Sequence, residues 1–105
     1  MPVIGTFSAA GDGYAGTIRT LMLTGRVRIA PNAGKSAVEA PDYRVLMGDI
    51  EIGAAWRKTK QGTERPYLKV RLDDPAWPLP VWGVLMESTA DGVLRLVWRR
   101  ASRSE

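Results

Sequence analysis

The chain of 105 residues contains no cysteine and no histidine. Without cysteine there is no disulfide framework, no thiol nucleophile and no thiolate metal site. Without histidine the usual general base near neutral pH and the commonest metal ligand are missing. Most hydrolytic and zinc chemistries are excluded on these grounds, and the sequence implies no metal and no cofactor. Long apolar runs are absent too, since none approaches the ~18 residues of a membrane helix. The N-terminus carries no signal-peptide pattern, so a cytoplasmic protein without membrane association is expected. Acids are scarce where cations gather: Glu64 is the only one between Glu51 and Asp73.

The length fits one domain, expected over residues 1–100 with a frayed tail at 101–105. Hydrophobic residues make up 45% and charged residues 25%, as in an ordinary globular domain, and the net charge is +4. The distribution of charge carries more than its total. Arg57, Lys58, Lys60, Arg65, Lys69 and Arg71 cluster around one hairpin, and Arg95, Arg99, Arg100 and Arg103 lie near the C-terminus.

Period two dominates the pattern. Val27 and Ile29 alternate with Arg26 and Arg28, and Tyr43, Val45 and Met47 with Asp42, Arg44 and Leu46. Ile50, Ile52, Ala54 and Trp56 alternate with Glu51, Gly53, Ala55 and Arg57. Leu68, Val70 and Leu72 alternate with Lys69 and Arg71, and Leu94, Leu96 and Trp98 with Arg95, Val97 and Arg99. Such alternation turns one set of side chains to a core and the other to water, as in antiparallel sheet. The pattern predicts strands near 3–9, 14–23, 26–30, 42–48, 50–58, 66–73, 80–87 and 93–100. Turns are expected at Gly11-Asp12-Gly13, Thr24-Gly25, Gly48-Asp49, Gln61-Gly62 and Asp91-Gly92. Pro31 to Asp42 reads as a loop, because prolines bracket a segment too short for a stable helix. The fold class is therefore all-β: a single small, mostly antiparallel barrel or sandwich of about eight strands, with little or no helix.

Five segments in order resemble one family: Ile4-Gly-Thr-Phe7, Gly16-Thr-Ile-Arg-Thr-Leu21, Ala40-Pro-Asp-Tyr-Arg-Val45, Glu51-Ile-Gly-Ala-Ala-Trp-Arg-Lys58 and Tyr67-Leu-Lys-Val-Arg-Leu-Asp-Asp-Pro75. The family is catalogued as a domain of unknown function and is typical of bacterial plasmids and integrative conjugative elements. The chain departs from its pattern in the loop Ala33–Val38 and in a more basic C-terminus. The resemblance implies a mobile-element setting and a small all-β fold, and it implies no reaction.

Candidate binding residues follow from charge and parity. Arg57, Lys69 and Arg71 are expected to point away from the core, with Lys58, Lys60 and Arg65 at the hairpin tip. A row of surface cations suits phosphate; it equally serves to keep sheet edges from aggregating. Were the strands of Arg26, Arg28, Arg95 and Arg99 neighbours of this hairpin, one basic face would result. Bases of a single strand also need rings to stack on. Parity assigns Trp56, Trp98 and Tyr43 to the core, which leaves Tyr67, Trp77 and Trp82 as candidates. Tyr67 suits stacking or covering the sheet edge, and Trp77, in irregular chain, either caps one end of the barrel or stands exposed. Trp82 lies in a run that is apolar from Leu79 to Met86, so alternation does not assign its face; with Val84 and Met86 it suits a stacking surface or a partner surface alike. Asp73 and Asp74, adjacent on a strand, point to opposite faces and read as a turn rather than a carboxylate pair.

No catalytic residue emerges. The expected function is that of a non-enzymatic accessory protein of a mobile element. It would bind nucleic acid, single-stranded and with little sequence readout, through the basic hairpin face. The alternative is a protein-interaction module, a regulator or inhibitor of a host system, built on the apolar strand 79–86. Nucleic acid, a protein partner or a second copy are the partners this leaves; a small-molecule substrate is not expected.

Overall fold

Short alternating stretches separated by tight turns leave the chain one way to bury its apolar rows, which is to pair each strand with the next. The computed structural model describes residues 3–21, 23–34, 37–59, 66–87 and 92–99. Within them lie β1 (Val3–Ala10), β2 (Gly13–Arg19), β3 (Thr24–Pro31), β4 (Tyr43–Met47), β5 (Ile50–Thr59), β6 (Pro66–Leu72), β7 (Val81–Glu87) and β8 (Leu94–Arg99). Every neighbouring pair is antiparallel, and β1 pairs back onto β8, so the eight strands close into a barrel in sequence order. Closure decides between the barrel and the sandwich. No helix occurs among the described residues, and the described part of 32–42 is loop.

The turns explain the register. Gly11-Asp12 and Gly48-Asp49 each join strands whose flanking residues pair directly, Ala10 with Gly13 and Met47 with Ile50. Gly48 takes φ 61°, a left-handed conformation that glycine adopts without steric cost. The β2–β3 turn lies earlier than predicted. Thr20 closes it: its backbone N–H donates to Leu23 O at 2.7 Å and its Oγ1 accepts the Leu23 N–H at 2.9 Å. Thr24 and Gly25 consequently belong to β3, opposite Arg19 and Ile18. The expected tip at Gln61-Gly62 and the expected tail lie outside the described residues, as does Asp91.

The core fills the barrel. Ile18 and Ile29 are 0% exposed, and Phe7, Val27, Tyr43, Val45, Leu68, Val70, Leu72, Leu85 and Leu96 are also buried. An eight-stranded barrel is just wide enough for side chains to fill its interior. Trp98 shares a register row with Gly83, and through it with Val70, but is half-buried rather than part of the buried core.

One departure from simple alternation sets up the site. In the β4–β5 pair, Val45 faces Gly53 while Leu46 faces Glu51, so Ile52 is an extra residue, a β-bulge. The bulge shifts the phase of β5 by one. Ile52 and Ala55 face the core and Trp56 turns to the outside, contrary to the expectation from parity. Ala54 is 6% exposed yet stands in the outward row, opposite Arg71. Gly53 is required here, because a Cβ at that position would lie 1.9 Å from Arg71 O.

Candidate nucleic-acid interface

Outward rows of β5, β6 and β7 meet on one side of the barrel. In register, Trp56 faces Lys69, Arg71 faces Trp82, and Lys58 faces Tyr67. The contacts run diagonally across those pairs. The Trp56 and Trp82 rings lie 6.0 Å apart, tilted by 31°. Lys69 Nζ sits 4.7 Å from the centre of the Trp82 ring, and Arg71 Cζ 5.5 Å from that of Trp56. Two indoles and two cations thus interleave on an outer sheet face, each cation over a ring within cation–π range.

The two halves of this lattice differ in freedom. Trp56 is tied down, since its Nε1–H donates to Glu39 O at 3.0 Å and Arg71 covers its ring. Arg71 is half-buried, and its Nε is buried with no acceptor among the described residues. Lys69 is exposed. The loop beyond β3 walls the other side. Asp42 accepts the Arg57 backbone N–H at 2.9 Å and gives its own N–H to Ala55 O at 3.0 Å, which seats the loop along β5. Between loop and sheet runs an open groove of about 710 Å³, with Val38, Glu39 and Asp42 on one side and Trp56, Lys58, Lys69 and Trp82 on the other.

Of the residues singled out in the sequence, Lys58, Tyr67, Lys69, Arg71 and Trp82 come together here. Val84 and Met86 continue the outward row of β7, where Met86 is 51% exposed. Lys60 and Arg65 lie outside the described residues. Arg57 differs from the parity expectation in orientation: the bulge puts it in the inward row, opposite Leu68, yet it is exposed and lines the same groove as Trp56 and Lys58. It donates to Tyr43 Oη at 2.5 Å and its Cζ lies 5.7 Å from that ring's centre. Tyr14 packs against Tyr43 at 5.9 Å, and burial, helped by Tyr43, pushes the Tyr14 hydroxyl pKa upward despite the neighbouring Arg57. Trp77 takes the first of its two readings, against the barrel rather than exposed. The Asp73-Asp74 turn, in which Asp74 Oδ1 accepts the Ala76 N–H at 2.8 Å, directs Trp77 onto the core. The turn reading of those carboxylates stands.

The basic face does not extend to β3: β4 separates Arg26 and Arg28 from the β5–β6 hairpin, and Arg44 on β4 is paired with Glu51. On the other side β8 lies next to β7, and Arg99 stands opposite Trp82 in register. Trp56 is the site residue that alternation hid; a glycine in mid-strand, Gly53, was the signal that the phase could change.

A closed antiparallel barrel with an aromatic and cationic outer face is thus the class of protein the fold and site define. The family described as "Protein of unknown function (DUF736)" matches residues 3–101, and the chain belongs to it. Neither a curated protein nor a solved structure matches the chain.

Proposed function

We propose that this protein is a non-enzymatic binder of single-stranded nucleic acid that serves a mobile genetic element. The observation that carries the reading is the interleaving of Trp56 and Trp82 with Lys69 and Arg71 beside an open groove. Rings offer every base a stacking face, and cations at the same place hold the backbone, which is the recipe for tolerant single-strand binding. A sheet face without a recognition helix gives little readout of sequence. Bacterial plasmids and integrative conjugative elements are the setting that the sequence resemblance implies.

The test is photocrosslinking of 5-iodouracil oligonucleotides followed by peptide mapping. The expected crosslinks fall on β6 and β7, at Tyr67 or Trp82. Crosslinks confined to β2 and β3, or none, overturn the assignment.

A second reading is favoured by a different observation. Val84, Val97 and Val3 face one another across β7, β8 and β1 on the outside, with Val3 51% exposed. This apolar row suits a protein partner, which would make the chain a regulator or inhibitor of a host system. Binding on that row should be little affected by salt, unlike binding to phosphates.

A further inference from the structure

In the free protein each indole of the site carries one of the protein's own cations over its ring, so a base stacking on that face must displace the cation. The two covers are unequal. Arg71 is half-buried and Trp56 is held by its bond to Glu39 O. Lys69 is exposed at the end of a flexible stem, and Trp82 is only half-buried. Resting on the reading above, we infer that Lys69 is an exchangeable cap on Trp82: an unpaired base takes the ring face, and the released ammonium moves to the flanking phosphate.

The exchange names what is recognised. A lysine over an indole in water gains little from the ring and loses little on leaving, whereas a base gains stacking and the freed ammonium gains a phosphate. Only a strand whose base is unpaired supplies both at once. Duplex offers the phosphate without the base, so Lys69 stays on the ring. Trp56, clamped beneath Arg71, acts as the floor on which Trp82 rests rather than as a second platform.

Fluorescence anisotropy of an oligothymidine and of an abasic strand of equal charge, with wild type and Lys69→Ala at about 50 and about 300 mM salt, tests this. At low salt the variant should bind oligothymidine several-fold more weakly than wild type, having lost a phosphate contact. At high salt, where that contact counts for little, it should bind at least as tightly, because the ring is already bare. The abasic strand should show the loss and no crossover. If the variant is weaker by the same factor at both salts, or if the abasic strand crosses over too, Lys69 is a plain phosphate contact and the exchange is wrong. If wild type binds neither strand at low salt, the function proposed above fails and the exchange fails with it.

Discussion

At the residue scale, Trp82 and Gly53 show how much single side chains decide. Trp82 faces outward and contributes to the lattice rather than to the core, so Trp82→Ala should leave the far-ultraviolet circular dichroism unchanged. Loss of one stacked base is worth about 1–3 kcal/mol, so its affinity for single strands should fall about 5- to 150-fold. Gly53 is the opposite case. A Cβ at this position would lie 1.9 Å from the Arg71 carbonyl oxygen, so Gly53→Ala must push two paired strands apart. Overpacking of that kind costs about 1–3 kcal/mol or more, which a urea midpoint will register. Tyr14 adds a pH dependence. Its pKa is raised by burial, so above the ordinary tyrosine range the native state keeps a proton that the unfolded chain has released. Stability from this group is intact at neutral pH and falls as pH rises through that range and up to the raised value. Tyr14→Phe should therefore lose less stability than wild type between about pH 9 and pH 11, measured by urea unfolding.

At the scale of elements, alternation and turn residues made the eight strands legible. Period two marks which residues alternate, and Gly48 or Gly11 at a tip sets the register that follows. Alternation carries no information about a phase change, which is why Trp56 read as core. The bulge at Ile52 rests on the close approach of the Arg71 carbonyl to Gly53 and on the packing of Ala55, contacts between strands that alternation along one strand does not carry. The same limit explains Trp82: a strand apolar at every position has no phase to read until Gly83 and Leu85 are seen to face inward. The β6 cations were legible because Leu68, Val70 and Leu72 fix their parity, and all three are buried. Deleting Ile52 removes the bulge and makes Glu51 and Gly53 consecutive partners of Leu46 and Val45, so Trp56 stays outward and the core contact of Ile52 is what is lost. The expected outcome is a cooperative transition at a lower urea midpoint, since loss of a buried isoleucine side chain costs about 2–5 kcal/mol, checked by urea titration followed by tryptophan emission.

At the scale of the whole molecule, closure of the sheet leaves no paired edge open and presents different outer faces to solvent. One carries Lys58, Lys69 and Arg71 with two indoles; another carries Arg26 and Arg28 on β3. Net charge alone would make these faces equivalent, whereas the proposed stacking on Trp82 distinguishes the first from the second. Lys58→Glu with Lys69→Glu should lower the slope of log affinity against log salt by about 1.4, at 0.7 per phosphate contact, and weaken binding. Arg26→Glu with Arg28→Glu, equal in charge, should leave most of the single-strand affinity in place; loss as large as that of the first pair would mean that bulk charge governs binding.

The measurement that bears most directly on the central claim is anisotropy of labelled single- and double-stranded DNA and RNA, titrated with wild-type protein at ~50 and ~200 mM salt. Micromolar or tighter binding of single strands, stronger than that of duplex, is the expected result. Three phosphate contacts would weaken it about 20-fold across that salt range. No binding at the lower salt, or binding that is equal for both forms and indifferent to salt, would contradict the assignment of the Trp56–Trp82 face to nucleic acid.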